Sequence, residues 1–342
     1  MKHNLNESRN DLDVFRDLPS PLFQHPEQFD QVALDIFHFQ AQHNPVYRQY
    51  LDLLNINVHD VIGIEDIPFL PIELFKSHTI QTGNWQPEVT FTSSGTTGQI
   101  NSQHPVRSLD RYLQNARLGF QQYFGEIKDF CVLALLPAYL ERQGSSLVAM
   151  ADDFIQLSKY DQSGFFLYNY DELTEVLKDS QAQQIPTLLI GVTFALLELA
   201  EQYPMDLSGI TIMETGGMKG RRKEITRQEL HHQLRAAFQV EKIYSEYGMT
   251  ELLSQAYTKG EQRFYPASAM KVLIREVNDP FRILPSQRNG ALNIIDLANR
   301  DSCSFIATQD LGKRYADGSF EVLGRMDNSD LRGCNLMLYE AQ

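Results

Sequence analysis

Short apolar runs alternate with longer runs of helical spacing between Asp129 and Gly248, and this alternation most constrains the fold. The apolar runs predict strands, namely FCVLALL from Phe130, TLLIGV from Thr187, GITIMET from Gly209 and KIYSEYG from Lys242. The runs between them predict helices over 171–184, 194–202 and 222–238. Unbroken apolar strands separated by helices are typical of a parallel sheet covered on both faces. We therefore expect ligands at the carboxyl ends of these strands.

The segments on either side of this sheet have different patterns. Apolar residues between Gln31 and Leu54 recur at roughly helical spacing and are interrupted at 43–45, which predicts helices early in the chain. Beyond Leu253 the chain consists of short strand-like runs divided by Pro, Gly, Asn and Asp. Such runs predict an antiparallel, barrel-like β region. No Pro- or Ser-rich linker separates this region from the sheet, so we expect the two to pack together.

Composition limits the partners and the compartment. The chain has 342 residues and a net charge of −14, and an acidic surface does not attract nucleic acid or an anionic membrane. Its cysteines, Cys131, Cys303 and Cys334, are odd in number and form no Cys-x-x-Cys pair, which indicates a reduced, cytoplasmic protein. The first residues contain no apolar signal-peptide region, and the longest apolar run, 130–138, is too short to span a bilayer.

A polar loop without charged residues, Phe91 to Gln99, follows a strand-like run. Its central residues carry hydroxyl groups or lack side chains, and they are Ser93, Ser94, Gly95, Thr96, Thr97 and Gly98. Hydroxyls and unobstructed backbone N–H groups can surround a phosphate. The loop is not a Walker A sequence, because its glycines are too close together and no Lys-Ser/Thr follows them. A phosphate site and a plain surface turn are both compatible with this composition.

The sequence YGMTE, residues 247–251, combines an aromatic ring, a hydroxyl and a carboxylate at a predicted strand end. The ring of Tyr247 can stack on a base. Glu251 can hold Mg²⁺ against phosphates, because Mg²⁺ takes oxygen ligands and is often bound jointly by a carboxylate and a nucleotide. A strand end followed by a helix N-terminus also favours Thr and Glu, so the motif alone permits either interpretation.

Two other motifs have the residue types of a nucleotide site. Gly216 and Gly217, at the end of another predicted strand, would let a flat group lie on the backbone, although a plain strand-to-helix turn has the same composition. Asp310 can accept hydrogen bonds from both hydroxyls of a ribose, and Arg325 can reach a phosphate. Polar β-turns are the alternative interpretation of the segments that contain them.

These motifs together resemble a known superfamily. SSGTTG, GG, YGMTE, TQDLG and GRMD occur in the order and approximate spacing of the adenylate-forming superfamily, which includes acyl-CoA ligases, peptide synthetase adenylation domains and firefly luciferase. The chain departs from that superfamily at Gln99, where a Lys is usual, and it ends soon after Asp327, where superfamily members continue into a small C-terminal domain. LuxE-like acyl-protein synthetases share that ending, and DLRGCNLMLYE and IPFLPIELFK resemble their sequences. The sequence is therefore identified as a member of the LuxE-like family.

The resemblance implies an α/β fold, the large N-terminal domain of the adenylate-forming enzymes. Parallel sheets flanked by helices would carry a small antiparallel barrel-like part, and the usual small C-terminal domain would be absent. The implied division is a helical bracing segment at 1–90, a parallel α/β part with the nucleotide site at 91–253, a β-rich part at 254–327 and a mobile tail at 328–342.

The resemblance also implies a reaction, the ATP- and Mg²⁺-dependent activation of a carboxylic acid, such as a fatty acid, as an acyl-adenylate. Glu251 would hold Mg²⁺, and Thr250 would bond the α-phosphate. The residues implied in binding the phosphates are Ser93, Ser94, Gly95, Thr96, Thr97 and Gly98. Gly216, Gly217 and Tyr247 would flank adenine, and Gly248 would belong to the same nucleotide site. Asp310 would bind ribose, and Arg325 would bind ribose or phosphate.

Cys334 occupies the position of the cysteine that accepts the acyl group in this family. It would attack the adenylate and form a thioester, and its neighbour Arg332 could stabilise the thiolate. The acyl group would then pass to a partner protein such as an acyl reductase or acyl carrier. Phe194 would line part of the acyl pocket. Without the resemblance, Cys334 would be interpreted as a small residue in a C-terminal strand.

Two other functional classes are compatible with the same residues. In a carboxylate–CoA ligase, CoA would take the acyl group, but the implied lack of a C-terminal domain argues against this class. A non-catalytic nucleotide- or acyl-binding module is the second alternative. The joint presence of Thr250, Glu251, Asp310 and Arg325 argues against a module without catalysis.

Overall fold

The structure is a computed structural model, and it describes residues 28–93, 100–137, 144–216 and 225–326. The helices are α1 (Phe29–His43), α2 (Pro45–Leu53), α3 (Leu74–Ser77), α4 (Leu109–Phe124), α5 (Ser146–Leu157), α6 (Tyr170–Ala182), α7 (Thr193–Gln202) and α8 (Arg227–Phe238). The strands of the first half are β1 (Leu70–Pro71), β2 (Val89–Thr92), β3 (Gln103–Val106), β4 (Cys131–Leu135), β5 (Gly164–Phe166), β6 (Thr187–Val192), β7 (Thr211–Thr215) and β8 (Tyr244–Tyr247). Those of the second half are β9 (Ala256–Thr258), β10 (Phe264–Pro266), β11 (Met270–Arg275), β12 (Ile283–Leu284), β13 (Asn289–Asp296), β14 (Phe305–Arg314) and β15 (Phe320–Arg325).

The predicted parallel sheet is confirmed. Strands β5, β4, β6, β7 and β8 lie side by side in that order, and each neighbouring pair is parallel. Every residue of β4 and β6 is buried, as the unbroken apolar runs required.

Helix α8 begins later than the charged pattern suggested. Thr226 caps it, and the side chain of Glu229 returns a hydrogen bond to the Thr226 backbone in a capping box.

The antiparallel strands continue the same sheet. Strand β9 pairs with β8 in the antiparallel sense, and the order runs on through β10, β15, β14, β13, β11 and β12 to make a 13-stranded sheet that also includes β1 beside β14. Among the residues that the structure describes, these strands do not close into a barrel. The barrel-like prediction is therefore corrected to an open extension. Short strands divided by turns have the same pattern in either arrangement, because closure depends on which distant edges meet.

Two hydrophobic cores stabilise the two halves of the sheet. One lies between the parallel strands and the helices from α4 to α8, with Phe120, Leu133 and Leu196 among its fully buried members. The other lies between α1, α2 and the antiparallel strands, where Tyr47 and Phe305 pack with ring centroids 6.2 Å apart. The early helices thus pack on the antiparallel half of the sheet.

Candidate functional site

The carboxyl ends of β6, β7 and β8 meet at one edge of the parallel sheet, and the first helical residue of α7 ties two of them together. Thr193 Oγ1 donates a hydrogen bond to the Gly216 carbonyl at 3.0 Å and lies 3.4 Å from Glu214 Oε2. Gly216 has a φ of 69°, a left-handed conformation that glycine adopts at little cost. The backbone therefore turns sharply at this position, directly after β7, where the sequence predicted the surface for a flat group.

A buried carboxyl group lies beneath this edge. Glu246, on β8, accepts a hydrogen bond from Thr215 Oγ1, its neighbour across the two strands. The pKa of Glu246 is raised to about 7, mainly by burial and also by the negative charge of Glu214, while the hydrogen bond from Thr215 opposes the shift. The carboxyl group also lies where a side chain at Gly248 would begin, so a larger residue there would require the Glu246 side chain to move. The backbone between Tyr247 and Met249 consequently lies against the carboxyl group.

The turn that carries Thr250 and Glu251 is held by two side chains from distant parts of the chain. His104 Nδ1 donates to the Thr250 carbonyl at 2.8 Å, and Asn299 Nδ2 donates to the Glu251 carbonyl at 2.7 Å. Because a carbonyl oxygen can only accept, the His104 proton is on Nδ1, and Nε2 accepts from the Ser302 hydroxyl at 2.9 Å. Burial lowers the pKa of His104 to about 4, so the ring is neutral near neutral pH.

The Glu251 side chain is itself buried, and burial raises its pKa. A hydrogen bond with Ser102 and the positive charges of Arg325 and Lys76 oppose this shift by favouring the ionised form. Positive charge near a buried carboxyl group favours its ionised form, and a bound cation would have the same effect. Mg²⁺ usually takes one or two carboxylates with phosphates and waters, so a single Glu251 fits this cation. The described residues contain no cluster of three His, Cys, Asp or Glu that could hold a metal without a nucleotide.

Tyr247, Asp310 and Arg325 come together beside this turn. The Tyr247 hydroxyl donates to Asp310 Oδ2 at 2.7 Å, and Arg325 Nε lies 3.9 Å from Asp310 Oδ1. Asp310 and Arg325 face each other on β14 and β15, so they lie in strands and not in the polar turns considered as an alternative. Burial raises the pKa of Asp310, and the Tyr247 hydrogen bond and Arg325 oppose that shift. The side chain of Arg325 is 68% exposed, so it can reach a ligand from the surface.

The ring of Tyr247 is more enclosed than a stacking platform requires. It packs against Phe264 and Phe320, with ring centroids 5.6 and 5.4 Å away. The hydroxyl, bonded to Asp310, is the polar end of a side chain otherwise embedded in the core. Adenine stacking by Tyr247 stays a prediction. The sequence did not reveal its hydrogen bond to Asp310, the residue that was predicted to bind ribose.

The remaining predicted site residues lie in several places. Ser93 Oγ accepts a hydrogen bond from the Ser102 backbone at 2.8 Å, which joins the two strands of the β2–β3 hairpin at the start of the predicted phosphate loop. Phe194 is buried in the core of the parallel half, and its predicted place in an acyl pocket stays a prediction. Residues outside the described part of the chain are Ser94, Gly95, Thr96, Thr97, Gly98, Gly217 and Cys334.

The other two cysteines are both buried, as expected for core residues. Burial raises the pKa of the Cys303 thiol to about 12 and also raises that of Cys131. Neither is therefore suited to act as a nucleophile near neutral pH.

Sequence reasoning missed several residues that shape this site. His104, Asn299 and Ser302 support the 250–251 turn from far along the chain, and no local pattern marked them. Glu246 and Glu214 did carry a signal, since each is an acidic residue next to a predicted ligand-binding turn in an apolar strand. Glu214 is buried, and its Oε1 atom lies 3.7 Å from both Arg227 Nε and His231 Nε2.

The fold is similar to those of several solved structures. An open conformation of 2-hydroxyisobutyryl-CoA ligase in complex with 2-HIB-AMP and CoA aligns with a TM-score of 0.64 and 13% identity over 96% of this chain and 81% of that chain. ATP-bound MatB from Rhodopseudomonas palustris aligns with a TM-score of 0.52 and 16% identity over 69% of this chain and 47% of that one. An ATP-bound RpMatB-BxBclM chimera is likewise covered over 47% of its length, so the chain spans about half the length of the MatB structure and the chimera.

The family follows from the sequence match. A family model described as "Acyl-protein synthetase, LuxE" matches residues 10–342. The chain therefore belongs to the LuxE family of acyl-protein synthetases, as the motifs indicated. No match to a curated protein was found.

Within the part of the chain that the structure describes, no helix is long and apolar enough to cross a membrane.

Proposed function

We propose that this protein activates a carboxylic acid with ATP and transfers the acyl group to its own Cys334. The observation that carries the proposal is the convergence of Thr250, Glu251, Asp310 and Arg325 from two halves of the chain on the end of β8. Family membership over residues 10–342 adds independent support.

In the first step a carboxylate oxygen of the acid attacks the α-phosphorus of ATP. The bond from that phosphorus to the bridging oxygen on its β side breaks, and pyrophosphate leaves with the electron pair. Glu251 would hold the Mg²⁺ that neutralises the phosphates, and Thr250 would bond the α-phosphate. Asp310 would accept from the ribose hydroxyls, held in place by Tyr247, and the exposed Arg325 would reach ribose or phosphate. The loop 93–98 and the backbone at 216–217 complete the proposed nucleotide site.

In the second step the thiolate of Cys334 attacks the acyl carbonyl, and the bond to the AMP oxygen breaks. The products are AMP and a thioester on the enzyme, with the thiol proton lost to solvent. A fatty acid is the proposed acid, and a partner such as an acyl reductase or acyl carrier would take the acyl group onward. Burial of Cys131 and Cys303 supports Cys334 as the acceptor, because their raised thiol pKa values disfavour attack.

A carboxylate–CoA ligase is the second candidate. The similar 2-hydroxyisobutyryl-CoA ligase structure contains an acyl-AMP and CoA, so CoA as acceptor is compatible with this fold. A thiol on CoA would then replace Cys334, and the same nucleotide site would serve. A binding module without catalysis would leave unexplained why Glu251 and Asp310 are desolvated close to basic residues.

The deciding experiment is ATP–pyrophosphate exchange with Mg²⁺ across a panel of carboxylic acids, from acetate to hexadecanoate. Exchange with a particular chain length supports adenylation and identifies the acid. Intact-mass spectrometry of the same mixtures without CoA then shows whether the protein carries the acyl group. No exchange with any acid would refute adenylation, and exchange with product only after CoA addition would favour the ligase.

A further inference from the structure

A segment at residues 299–302 connects helix α1 to the turn that carries Thr250 and Glu251. It contacts α1 through its backbone carbonyls and the turn through its side chains. We infer that the 299–302 segment positions Thr250 and Glu251 as one unit for the reaction at this turn. Gln40 on α1 and His104 on β3 are then positioning residues, which act through the segment and the turn. The inference rests on the proposed function and adds remote residues to its nucleotide site.

Helix α1 holds the segment through a fully buried glutamine. Gln40 Nε2 donates to the carbonyls of Asn299 and Arg300 at 3.1 and 3.0 Å. Its Oε1 atom accepts from the backbone N–H of Ser304 at 3.0 Å, so both ends of the amide are used. Burying an amide is unfavourable unless its hydrogen bonds are made, and here they are made to one short stretch of backbone. Gln40 therefore ties the segment to the helix.

The other two carbonyls of the 299–302 segment are held from the same side. Asn44 lies between α1 and α2, and its Nδ2 atom donates to the Ser302 carbonyl at 2.8 Å. The backbone N–H of Thr82 donates to the Asp301 carbonyl at 2.8 Å. Each carbonyl of the segment thus accepts a hydrogen bond from outside it. A shift of the segment would leave buried polar groups unpaired, which is costly.

The side chains of the segment hold two successive carbonyls of the turn. Asn299 Nδ2 donates to the Glu251 carbonyl at 2.7 Å. His104 Nδ1 donates to the Thr250 carbonyl at 2.8 Å, and its Nε2 atom accepts from the Ser302 hydroxyl at 2.9 Å. All three side chains that make these bonds are buried. The backbone of both turn residues is thus fixed to one segment, and the directions of their side chains are fixed with it.

This arrangement matters for the proposed adenylation because Thr250 would bond the α-phosphate and Glu251 would hold Mg²⁺. Displacement at phosphorus depends on orientation, and a misplacement of about 1 Å can cost on the order of 100-fold in rate. Stabilisation of the fold is the alternative role for these buried hydrogen bonds. That role predicts that activity falls only as folded protein is lost. Positioning predicts a loss of activity in protein that remains folded.

The test uses two substitutions that keep opposite ends of the His104 ring. In His104→Asn the amide nitrogen replaces Nδ1 and can donate to the Thr250 carbonyl, whereas in His104→Gln it replaces Nε2 and reaches Ser302. Both remove the ring contact with Phe75, so both should lower the melting temperature. We expect pyrophosphate exchange per folded protein to fall about tenfold or more in His104→Gln and to stay within about threefold of the wild type in His104→Asn. His59→Gln, at an exposed histidine, is the control and should leave exchange unchanged.

Gln40→Met tests the far end of the segment. Methionine keeps the length of the side chain but has no amide, so the carbonyls of Asn299 and Arg300 lose their donor. We expect exchange per folded protein to fall several-fold. Ile36→Ala is the matched control, because it truncates a buried side chain one turn earlier on α1 and lowers stability without removing a hydrogen bond. It should leave exchange per folded protein unchanged.

Equal exchange in His104→Asn and His104→Gln, or in Gln40→Met and Ile36→Ala, would overturn the inference. If the variants do not fold, NMR chemical shifts of the ring nitrogens of His104 in the wild type decide. A proton on Nδ1 supports the inference, and a proton on Nε2 overturns it. Absence of exchange in the wild type would refute the proposed function and this inference with it. Wild-type exchange with an equally active His104→Gln would refute the inference alone.

Discussion

The hydroxyl of Tyr247 donates a 2.7 Å hydrogen bond to Asp310, and this contact joins the last strand of the parallel half to the antiparallel half. The two residues were predicted separately, one for adenine and one for ribose. Tyr247, which is proposed to flank adenine, therefore orients the carboxylate of Asp310, which is proposed to bind ribose. A change at either residue is therefore expected to affect the other.

Asp310→Ala should weaken ATP binding by about 1–3 kcal/mol, the usual cost of losing a hydrogen bond to a charged group. It should also lower stability, because the buried Tyr247 hydroxyl loses its acceptor. Tyr247→Phe removes that hydroxyl and leaves the carboxylate, so it should cost stability but much less ATP affinity. Titration calorimetry and thermal unfolding of both single variants and the double variant measure the two effects.

The stability losses should be less than additive in the double variant, since both substitutions remove one bond. If Asp310→Ala binds ATP as the wild type does and only melts earlier, Asp310 is structural and its proposed role in ribose binding is wrong.

Glu251→Gln should reduce pyrophosphate exchange by roughly 100-fold, because even indirect partners of a metal site cost 10–100-fold in metal affinity or activity. The amide keeps the shape of the side chain, and Asn299 still holds the backbone, so the fold should persist. Raising the Mg²⁺ concentration should recover part of the activity if the carboxylate binds the cation. Glu241→Gln, at an exposed carboxylate, is the control. Exchange that stays at the wild-type rate in Glu251→Gln would remove this residue from the mechanism.

Glu246 predicts a pH dependence of stability. Its pKa is about 7 in the folded protein against an ordinary 4.5, so between these values the folded state binds more protons than the unfolded state. The free energy of unfolding should therefore fall as pH rises from 4.5 to 7, by on the order of 3 kcal/mol from this group, and level off above 7. Glu246→Gln has no proton to lose and should lack this contribution.

Urea unfolding of wild type and Glu246→Gln at several pH values isolates the effect as a difference between the two proteins. The wild type should lose stability relative to the variant as pH rises. A difference that is constant across the window would show that Glu246 has the same pKa in the folded and unfolded states, and that burial does not shift it.

The sequence predicted the parallel sheet well because β4 and β6 are buried on both faces and therefore consist of unbroken apolar residues. It also predicted that Thr250 and Glu251 follow a strand end. It could not predict that His104 and Asn299 hold that turn, since such contacts depend on how distant strands pack. The barrel-like closure was wrong for a similar reason: the pattern of short strand-like runs divided by turn residues is local, whereas closure depends on which edges pair. Helix α5 was missed as well.

The last prediction concerns Cys334 and separates the acyl-protein synthetase from the CoA ligase. Cys334→Ser should still form the acyl-adenylate, because that step uses only the nucleotide site. It should not accumulate a hydroxylamine-sensitive acyl-enzyme, since a serine hydroxyl is a far weaker nucleophile than a cysteine thiol near neutral pH. Intact-mass spectrometry after incubation with ATP, Mg²⁺ and the acid, without CoA, measures both proteins directly.

Cys303→Ser is the matched control within the same chain, because Cys303 is buried and its thiol pKa of about 12 excludes attack near neutral pH. It should acquire the acyl adduct as the wild type does, provided that its melting temperature shows it to be folded. Peptide mapping should locate the adduct at Cys334 in both. An adduct that persists in Cys334→Ser, or that maps to Cys131, would refute the assignment of Cys334. A wild type that makes acyl-adenylate, gains no adduct and forms product only with CoA would make CoA the acceptor, since the same nucleotide site supplies the adenylate in either case.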